Sequence, residues 1–127
     1  MKTAEGRTLQ ILITTGLEDA DRTALGLNTA LVAQSSGVET HVFFTLRGTF
    51  WACRTQRKEL PRPDILDIIE QLGALGAKLS CCTKCLDQHC MLPEHAESSS
   101  LLRADIRPAG LASIVNRAAS GMPSLTF

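Results

Sequence analysis

Short apolar runs rich in strand-forming residues alternate with amphipathic segments along this chain, and this alternation restricts the fold more than any other feature. Residues 9–14 form the first such run, which stops at Thr15 and Gly16. After a polar turn, apolar residues at i, i+3 and i+7 predict a first helix that ends at Gly37 (Ala24, Leu27 and Leu31). Strands and helices in alternation are typical of a parallel sheet covered by helices.

The rest of the sequence continues the alternation, although residues 91–108 are the least distinct part. We predict a second strand at residues 38–45 and a third at residues 77–81. Between them lies a helix that is introduced by Pro61 and Pro63, ends at Gly76 and has one apolar face (Ile65, Ile68, Ile69, Leu72). After the third strand we predict a helix start at Pro93 and Glu94, a brief strand at residues 105–107, a last helix (Leu111, Ile114, Val115, Ala118) and an edge strand at residues 124–127.

Composition narrows the class of protein. The chain has 127 residues, 44% hydrophobic and 20% charged, with a formal net charge of zero, as expected of one globular domain spanning residues 1–127. The first seven residues contain no apolar signal core, and no apolar run approaches the roughly 20 residues that span a bilayer. We therefore expect a cytoplasmic protein without a membrane segment. The neutral charge argues against a nucleic-acid or membrane-surface binder.

A cysteine cluster follows the third predicted strand. Residues 81–90 contain four of the five cysteines and one of the three histidines. Ligands of open parallel sheets bind outside the carboxyl ends of the strands, where three loops are expected to meet: residues 15–21, residues 46–60 and the chain from Cys82 onward. Cytoplasmic thiols stay reduced, so the cluster indicates metal binding or catalysis before a disulfide framework.

The loop at residues 46–60 is locally basic and is expected to face the thiols. It carries Arg47, Arg54, Arg57 and Lys58 against the single acid Glu59. Cationic neighbours and a helix N-terminus both favour thiolate over thiol, and residues 83–87 can begin a short helix. We therefore expect at least one nucleophilic cysteine of low pKa. The alternative is that the basic loop is a solvated surface or a subunit contact.

The other cysteines have structural alternatives. Cys81 is expected to point into the core as a small hydrophobe. Cys90 is either buried or a third redox partner, and Cys53 could approach the cluster, although a lone loop cysteine is more often incidental.

Zinc is the rival chemistry, and no other cofactor is expected. The zinc ligands would come from Cys82, Cys85, His89, Cys90 and His95.

Four segments resemble the DsrE/DsrF-like (YchN-like) family. The resemblance covers nearly the whole chain, and the cysteine segment is closest to the DsrE-like domain of YedF-type proteins. The segments are residues 16–22, residues 43–48, residues 76–87 and residues 110–116.

The resemblance implies an α/β three-layer sandwich with a mostly parallel five-stranded sheet, and a cytoplasmic homotrimer or homohexamer. It also implies sulfur trafficking, with sulfane sulfur carried as a persulfide on Cys82 and passed between donor and acceptor proteins. Cys85 would be the resolving thiol. From the basic loop and the start of the short helix, we also expect Arg47 and Lys84 to bind substrate. Unlike the sulfur-relay members, this chain has three further cysteines around Cys82 and lacks the arginine pair that often follows their cysteine.

Two other functions stay open at this stage. One is a non-catalytic oligomeric subunit whose cysteine and histidine cluster binds zinc or only packs. The other is a thiol-disulfide redox protein that uses the Cys82-x-x-Cys85 pair, although a thioredoxin-like redox pair normally follows an early strand and begins a long helix.

Overall fold

A five-stranded sheet forms the centre of the protein in the computed structural model, which describes residues 6–54, 62–90 and 102–127, with only the backbone at residues 87–89. The strands are β1 (Thr8–Ile13), β2 (Glu39–Phe44), β3 (Lys78–Cys82), β4 (Ile106–Ala109) and β5 (Ser124–Thr126). Their order is β4-β3-β2-β1-β5, and all four pairings are parallel. The carboxyl ends of the strands therefore share one edge.

Within the described ranges, five helices connect these strands, and two short 3-10 turns at Leu17–Asp19 and Leu46–Gly48 follow β1 and β2. The side chain of Asp19 caps the first helix by accepting from Arg22 N, and Pro63 begins the third. Gly76 ends that helix at φ 88°, a conformation that favours glycine. The helices are α1 (Ala20–Ser35), α2 (Thr49–Ala52), α3 (Pro63–Ala74), α4 (Thr83–His89) and α5 (Leu111–Ala119).

The main core lies on the face of the sheet that α1 and α3 cover. Strand alternation sends Ile11 and Ile13 of β1 to this face, together with Val42 and Phe44 of β2. The predicted apolar face of α3 is confirmed, because its four members are all buried (Ile65, Ile68, Ile69 and Leu72). Full burial of each such side chain stabilises the fold by about 1.5–3 kcal/mol.

The opposite face is covered more lightly, by α5. None of the residues of α5 is buried. Below it lies the fully buried Gln10, whose Nε2 donates to Ser124 Oγ at 2.9 Å and whose Oε1 accepts from Arg117 Nε at 2.8 Å. A smaller apolar cluster on this face contains Phe43, Cys82 and Cys85.

These observations confirm the α/β three-layer sandwich, and the sheet is parallel throughout. The predicted edge strand at the C-terminal end is confirmed as β5, and the brief strand lies slightly later than expected, at Ile106–Ala109. The short helix α2 within residues 46–60 was missed, because four residues carry too little periodicity to reveal it. The helix predicted to start at Pro93 falls outside the described residues. Among the described helices, none is long and apolar enough to cross a membrane.

Replacing Gly48 tests the close approach between the ends of β1 and β2. A Cβ at Gly48 would overlap the carbonyl oxygen of Ile13, which is backbone and cannot move aside easily. We expect Gly48→Ala to lower the free energy of unfolding by about 1–3 kcal/mol, measured by chemical denaturation. Gly110→Ala is the control, because no heavy atom lies within 4 Å of the added carbon. Equal stability of the two variants would contradict this packing.

Candidate functional site

The junction of β3 and α4 divides the adjacent cysteines between the two faces of the sheet. β3 ends at Cys82 and α4 begins at Thr83. Alternation along the strand places Cys81 in the main core and Cys82 in the smaller cluster under α5. Neighbours in sequence therefore have different environments.

Cys81 lies in an environment that suppresses its reactivity. Its side chain is completely buried, and burial raises the pKa of the thiol to about 12. A thiol that stays protonated is neither a good nucleophile nor a ready metal ligand. The prediction that Cys81 belongs to the core is confirmed.

Cys85 lies on the other side of the junction and receives hydrogen bonds from the chain that leaves β2. The backbone N–H of Leu46 donates to Cys85 Sγ at 3.3 Å, and Thr45 Oγ1 lies 3.6 Å from the same sulfur. Burial alone would raise the pKa of Cys85. The hydrogen bonds from Thr45, Leu46 and Cys82 outweigh it, and the pKa lies below its ordinary value. These contacts therefore favour the thiolate form of Cys85.

The donor at Leu46 depends on an unusual backbone conformation. Leu46 has φ 50°, and among the described residues it is the only one besides glycines with a positive φ. A non-glycine residue in this region is strained by about 1–3 kcal/mol, and such residues cluster at functional sites. Its side chain is exposed, so side-chain burial does not account for the conformation. The conformation places the N–H against the sulfur.

The basic residues of the loop after β2 are distributed differently from the prediction. Arg47 directly follows Leu46 in the chain, and Lys84 directly precedes Cys85. Both side chains are exposed. Arg54 instead lines a separate groove with Glu70 and Arg103, and residues 57 and 58 lie outside the described residues. Hydrogen bonds from uncharged groups lead the causes that lower the pKa of Cys85. Thiolate character at Cys85 thus does not require the cationic loop that sequence reasoning invoked.

Cys53 and Cys90 form a disulfide, which corrects two sequence-based expectations. Their Cα atoms are 5.7 Å apart and both residues are buried. The interpretation of Cys53 as incidental was wrong. The expectation that the cysteines are all reduced was also wrong, because Cys53 and Cys90 are oxidised to a disulfide. The pairing could not be read from sequence because it depends on α2, which carries Cys53 to the end of α4. Cys90 is buried, and its sulfur is bonded to that of Cys53.

The disulfide also weakens the zinc alternative. A disulfide sulfur cannot act as a thiolate ligand, so Cys90 is not free to complete a set with Cys82, Cys85 and His89. The side chain of His89 and all of His95 lie outside the described part. Within the described part, no group of three or more histidine, cysteine or acidic side chains is placed to hold a metal ion.

The disulfide joins the two segments that build the Cys85 environment. Cys53 follows α2, which begins directly after Leu46–Gly48, and Cys90 follows α4, which carries Cys85. The segments meet once at the Leu46 N–H contact with sulfur and again at the disulfide. Cys82 and Cys85 stay apart from this bond, because they belong to the cluster on the other face and are free thiols.

These features define an α/β protein with a two-cysteine site at the carboxyl edge of a parallel sheet. The chain belongs to the DsrE/DsrF-like family, whose model matches residues 8–127. Its fold is similar to that of the YchN protein from E. coli (19% identity, 95% of this chain and 99% of that chain covered, TM-score 0.73). It is also similar to the conserved protein BT1422 from Bacteroides thetaiotaomicron (14% identity, both chains fully covered, TM-score 0.68). No curated protein matches the sequence.

Thr45→Val tests the environment of Cys85. The variant keeps the shape of the side chain but removes a hydroxyl donor, so the pKa of Cys85 is expected to rise. At a pH below the midpoint the rate of Cys85 alkylation by iodoacetamide should fall about tenfold, since a hydrogen bond to a charged group contributes about 1.5–3 kcal/mol. The measurement is the pH profile of alkylation, followed by peptide mass. Thr40→Val, at a buried position in the preceding strand β2, should leave the profile in place. An unchanged profile in Thr45→Val would rule out the hydroxyl as a donor.

Removing the disulfide tests the link between α2 and α4. For two cysteines 37 residues apart, loop closure predicts that reduction lowers the free energy of unfolding by about 3–4 kcal/mol. Denaturation with and without a reductant measures this difference. The double variant Cys53→Ser, Cys90→Ser should resemble the reduced protein and be insensitive to the reductant. If the wild-type protein is equally insensitive, the disulfide does not form in solution.

Proposed function

We propose that the Cys82–Cys85 pair carries sulfane sulfur as a cysteine persulfide. The observation that supports this most strongly is the pair of hydrogen bonds from Leu46 N–H and Thr45 Oγ1 to Cys85 Sγ. These donors stabilise a sulfur anion inside a nearly buried site. Both the attacking thiolate and a persulfide anion need such a setting.

The proposed loading step is attack by the Cys85 thiolate on the outer sulfur of a donor persulfide. A sulfur–sulfur bond forms on Cys85, the bond between the two donor sulfurs breaks, and the donor leaves as a thiolate. In the release step an acceptor thiolate attacks the outer sulfur and regenerates the Cys85 thiolate. Electrons balance in each exchange, so no external oxidant or reductant is required.

Cys82 has a complementary role in this proposal. It lies in one cluster with Cys85 and Phe43, and its thiol is among the groups that lower the pKa of Cys85. Attack by Cys82 on the inner sulfur of a Cys85 persulfide would release hydrosulfide and leave a Cys82–Cys85 disulfide. Sequence reasoning assigned the persulfide to Cys82 and resolution to Cys85. The hydrogen bonds at Cys85 favour the reverse order.

The neighbouring cations and the partners belong to the same proposal. Arg47 and Lys84 are exposed beside the site and would attract anionic donors or acidic acceptor proteins. The homotrimer or homohexamer stays a prediction, as does the cytoplasmic location. Self-association is compatible with the exposure of Leu111 and Val115 on α5, which are apolar and more than half exposed.

A thiol-disulfide redox function is the second candidate. The pairing of Cys53 with Cys90 shows that the fold accommodates a disulfide beside the free pair. In this alternative Cys82 and Cys85 would cycle between dithiol and disulfide and exchange with a substrate disulfide. The two candidates differ in one product, because only the carrier retains an additional sulfur atom.

Intact-mass measurement after treatment with a persulfide donor tests the carrier proposal. The wild-type protein should gain the mass of one sulfur atom, and Cys85→Ser should abolish the gain. Cys82→Ser should keep the adduct and prolong its lifetime, because the resolving thiol is absent. Cys81→Ser serves as the control, since the Cys81 thiol is buried and protonated.

Three outcomes would decide against the proposal. Loss of two hydrogens in the wild-type protein, together with no gain of sulfur in Cys82→Ser, would favour the redox function, because resolution by Cys82 cannot then account for the missing adduct. An adduct that survives Cys85→Ser but disappears in Cys82→Ser would restore the original assignment of Cys82 as the carrier. Stoichiometric zinc in the purified protein, measured by elemental analysis, would favour the non-catalytic alternative.

A further inference from the structure

A basic groove lies on the α5 face of the sheet, beside the cysteine site. Its volume is about 510 Å³, and it runs over the amino-terminal parts of β3 and β4 below α5. Four of its lining residues carry basic side chains: His41, Lys78, Arg107 and Arg117. The sequence distributes these residues over β2, β3, β4 and α5, so they do not form a basic run that could be recognised along the chain.

Parallel register places three of these residues on the same face as Cys82. His41 pairs with Lys78, and Arg107 pairs with Ser80, which also lines the groove. Lys78, Ser80 and Cys82 alternate along β3 and therefore share a face. The basic face and the cysteine site thus belong to one continuous surface of the sheet.

The positive charge of the groove is not neutralised within the described residues. None of the ion pairs there involves Lys78, Arg107 or Arg117. Glu39 contacts the ring of His41, at 3.0 Å. The one acid that lines the groove, Asp105, has its carboxylate against the backbone of Gly73 in α3. The groove therefore presents an excess of cationic donors.

Arg117 is held in place from below. Its Nε donates to Oε1 of Gln10 at 2.8 Å, and Gln10 is completely buried and also bonded to Ser124. This contact orients the guanidinium and occupies one of its five donors. The terminal nitrogens of an oriented guanidinium match the two oxygens of a carboxylate. The buried Gln10 thus fixes the orientation of the Arg117 guanidinium and leaves its terminal nitrogens available to an anionic ligand.

The groove extends to the edge of the cluster that contains Cys82 and Cys85. Ala109 lines the groove and also packs against the cluster of Phe43, Cys82 and Cys85. Ser80 and Arg107 lie two residues before Cys82 and Ala109 in the paired strands, a distance of about 7 Å along the sheet. A small molecule can therefore place a charged end in the groove and a sulfur atom at the cysteines.

We propose that this groove is the binding subsite for the carboxylate groups of a low-molecular-weight thiol that delivers or removes sulfane sulfur at Cys85. The proposal rests on the function proposed above and names the chemical class of its small-molecule substrate. Arg107 and Arg117 bind the carboxylate. Lys78 and His41 line the end of the groove that lies farther from the cysteines. Cys85 attacks the outer sulfur of the bound persulfide, and the carboxylate-bearing thiolate leaves.

Two aromatic disulfides that differ in charge provide a test that does not require a persulfide. Dithiobis-nitrobenzoate carries a carboxylate on each half, whereas dithiodipyridine is neutral. Each reacts with a thiolate by the same exchange, in which the protein sulfur bonds to one half and the other half leaves as a coloured thiol. The phase that Cys85→Ser abolishes is measured in the full-length protein at several salt concentrations.

Arg107→Gln and Arg117→Gln are expected to lower the second-order rate with dithiobis-nitrobenzoate by roughly three- to tenfold, as loss of one partly screened, charge-assisted contact predicts. The rate with dithiodipyridine should stay unchanged. Arg7→Gln is the matched control, because it removes the same charge from an exposed position outside the groove. Salt should slow only the charged reagent, and less so in the two groove variants.

The rate ratio of the two reagents separates the possible errors. If the arginine variants slow both reagents equally, the arginines support the structure of the cysteine site and do not bind the carboxylate. If Arg7→Gln lowers the rate with dithiobis-nitrobenzoate as much as the groove variants do, the effect comes from the net charge of the protein and not from the groove. Arg107 is exposed, so Arg107→Gln remains informative if Arg117→Gln fails to fold. A charge-selective effect without any persulfide adduct would uphold the subsite and overturn the carrier function, whereas an adduct without charge selectivity would do the opposite.

Discussion

The parallel pairing of every strand is the constraint on which the rest of this structure depends. It brings the chain that leaves β2 beside the chain that leaves β3, at one edge of the sheet. Leu46 can therefore donate to Cys85 although the two residues are 39 positions apart. If β2 and β3 were antiparallel, the segments after them would lie at opposite edges and this contact could not form.

The sheet also separates two kinds of sulfur chemistry. Cys53, Cys81 and Cys90 lie in the main core, whereas Cys82 and Cys85 lie in the cluster beneath α5. The first group is held as a disulfide and a buried protonated thiol, and the second keeps two free thiols. Because strand alternation sends Cys81 and Cys82 in opposite directions, five cysteines in a small protein need not exchange with one another at random.

The lowered pKa of Cys85 reflects a balance between burial and hydrogen bonding. Burial shields the sulfur from water but favours the neutral thiol, and the donors at Thr45 and Leu46 reverse that preference. The strained backbone of Leu46 and the close packing of Gly48 on Ile13 hold these donors in position. The chain belongs to the DsrE/DsrF-like family, and these contacts are the physical basis of the sulfur transfer that we propose at Cys85.

By itself, the sequence determined the order of the five strands, the helices α1, α3 and α5, the apolar face of α3, the burial of Cys81 and the position of the cysteine cluster after the third strand. These features follow from local periodicity, which a sequence displays directly. Only the tertiary structure decided that Cys53 pairs with Cys90, that Leu46 N–H meets Cys85 and that Arg107 and Arg117 share a groove. Each of these depends on segments far apart in the chain whose meeting is set by sheet register and by the short helix α2, and neither leaves a periodic pattern in the sequence.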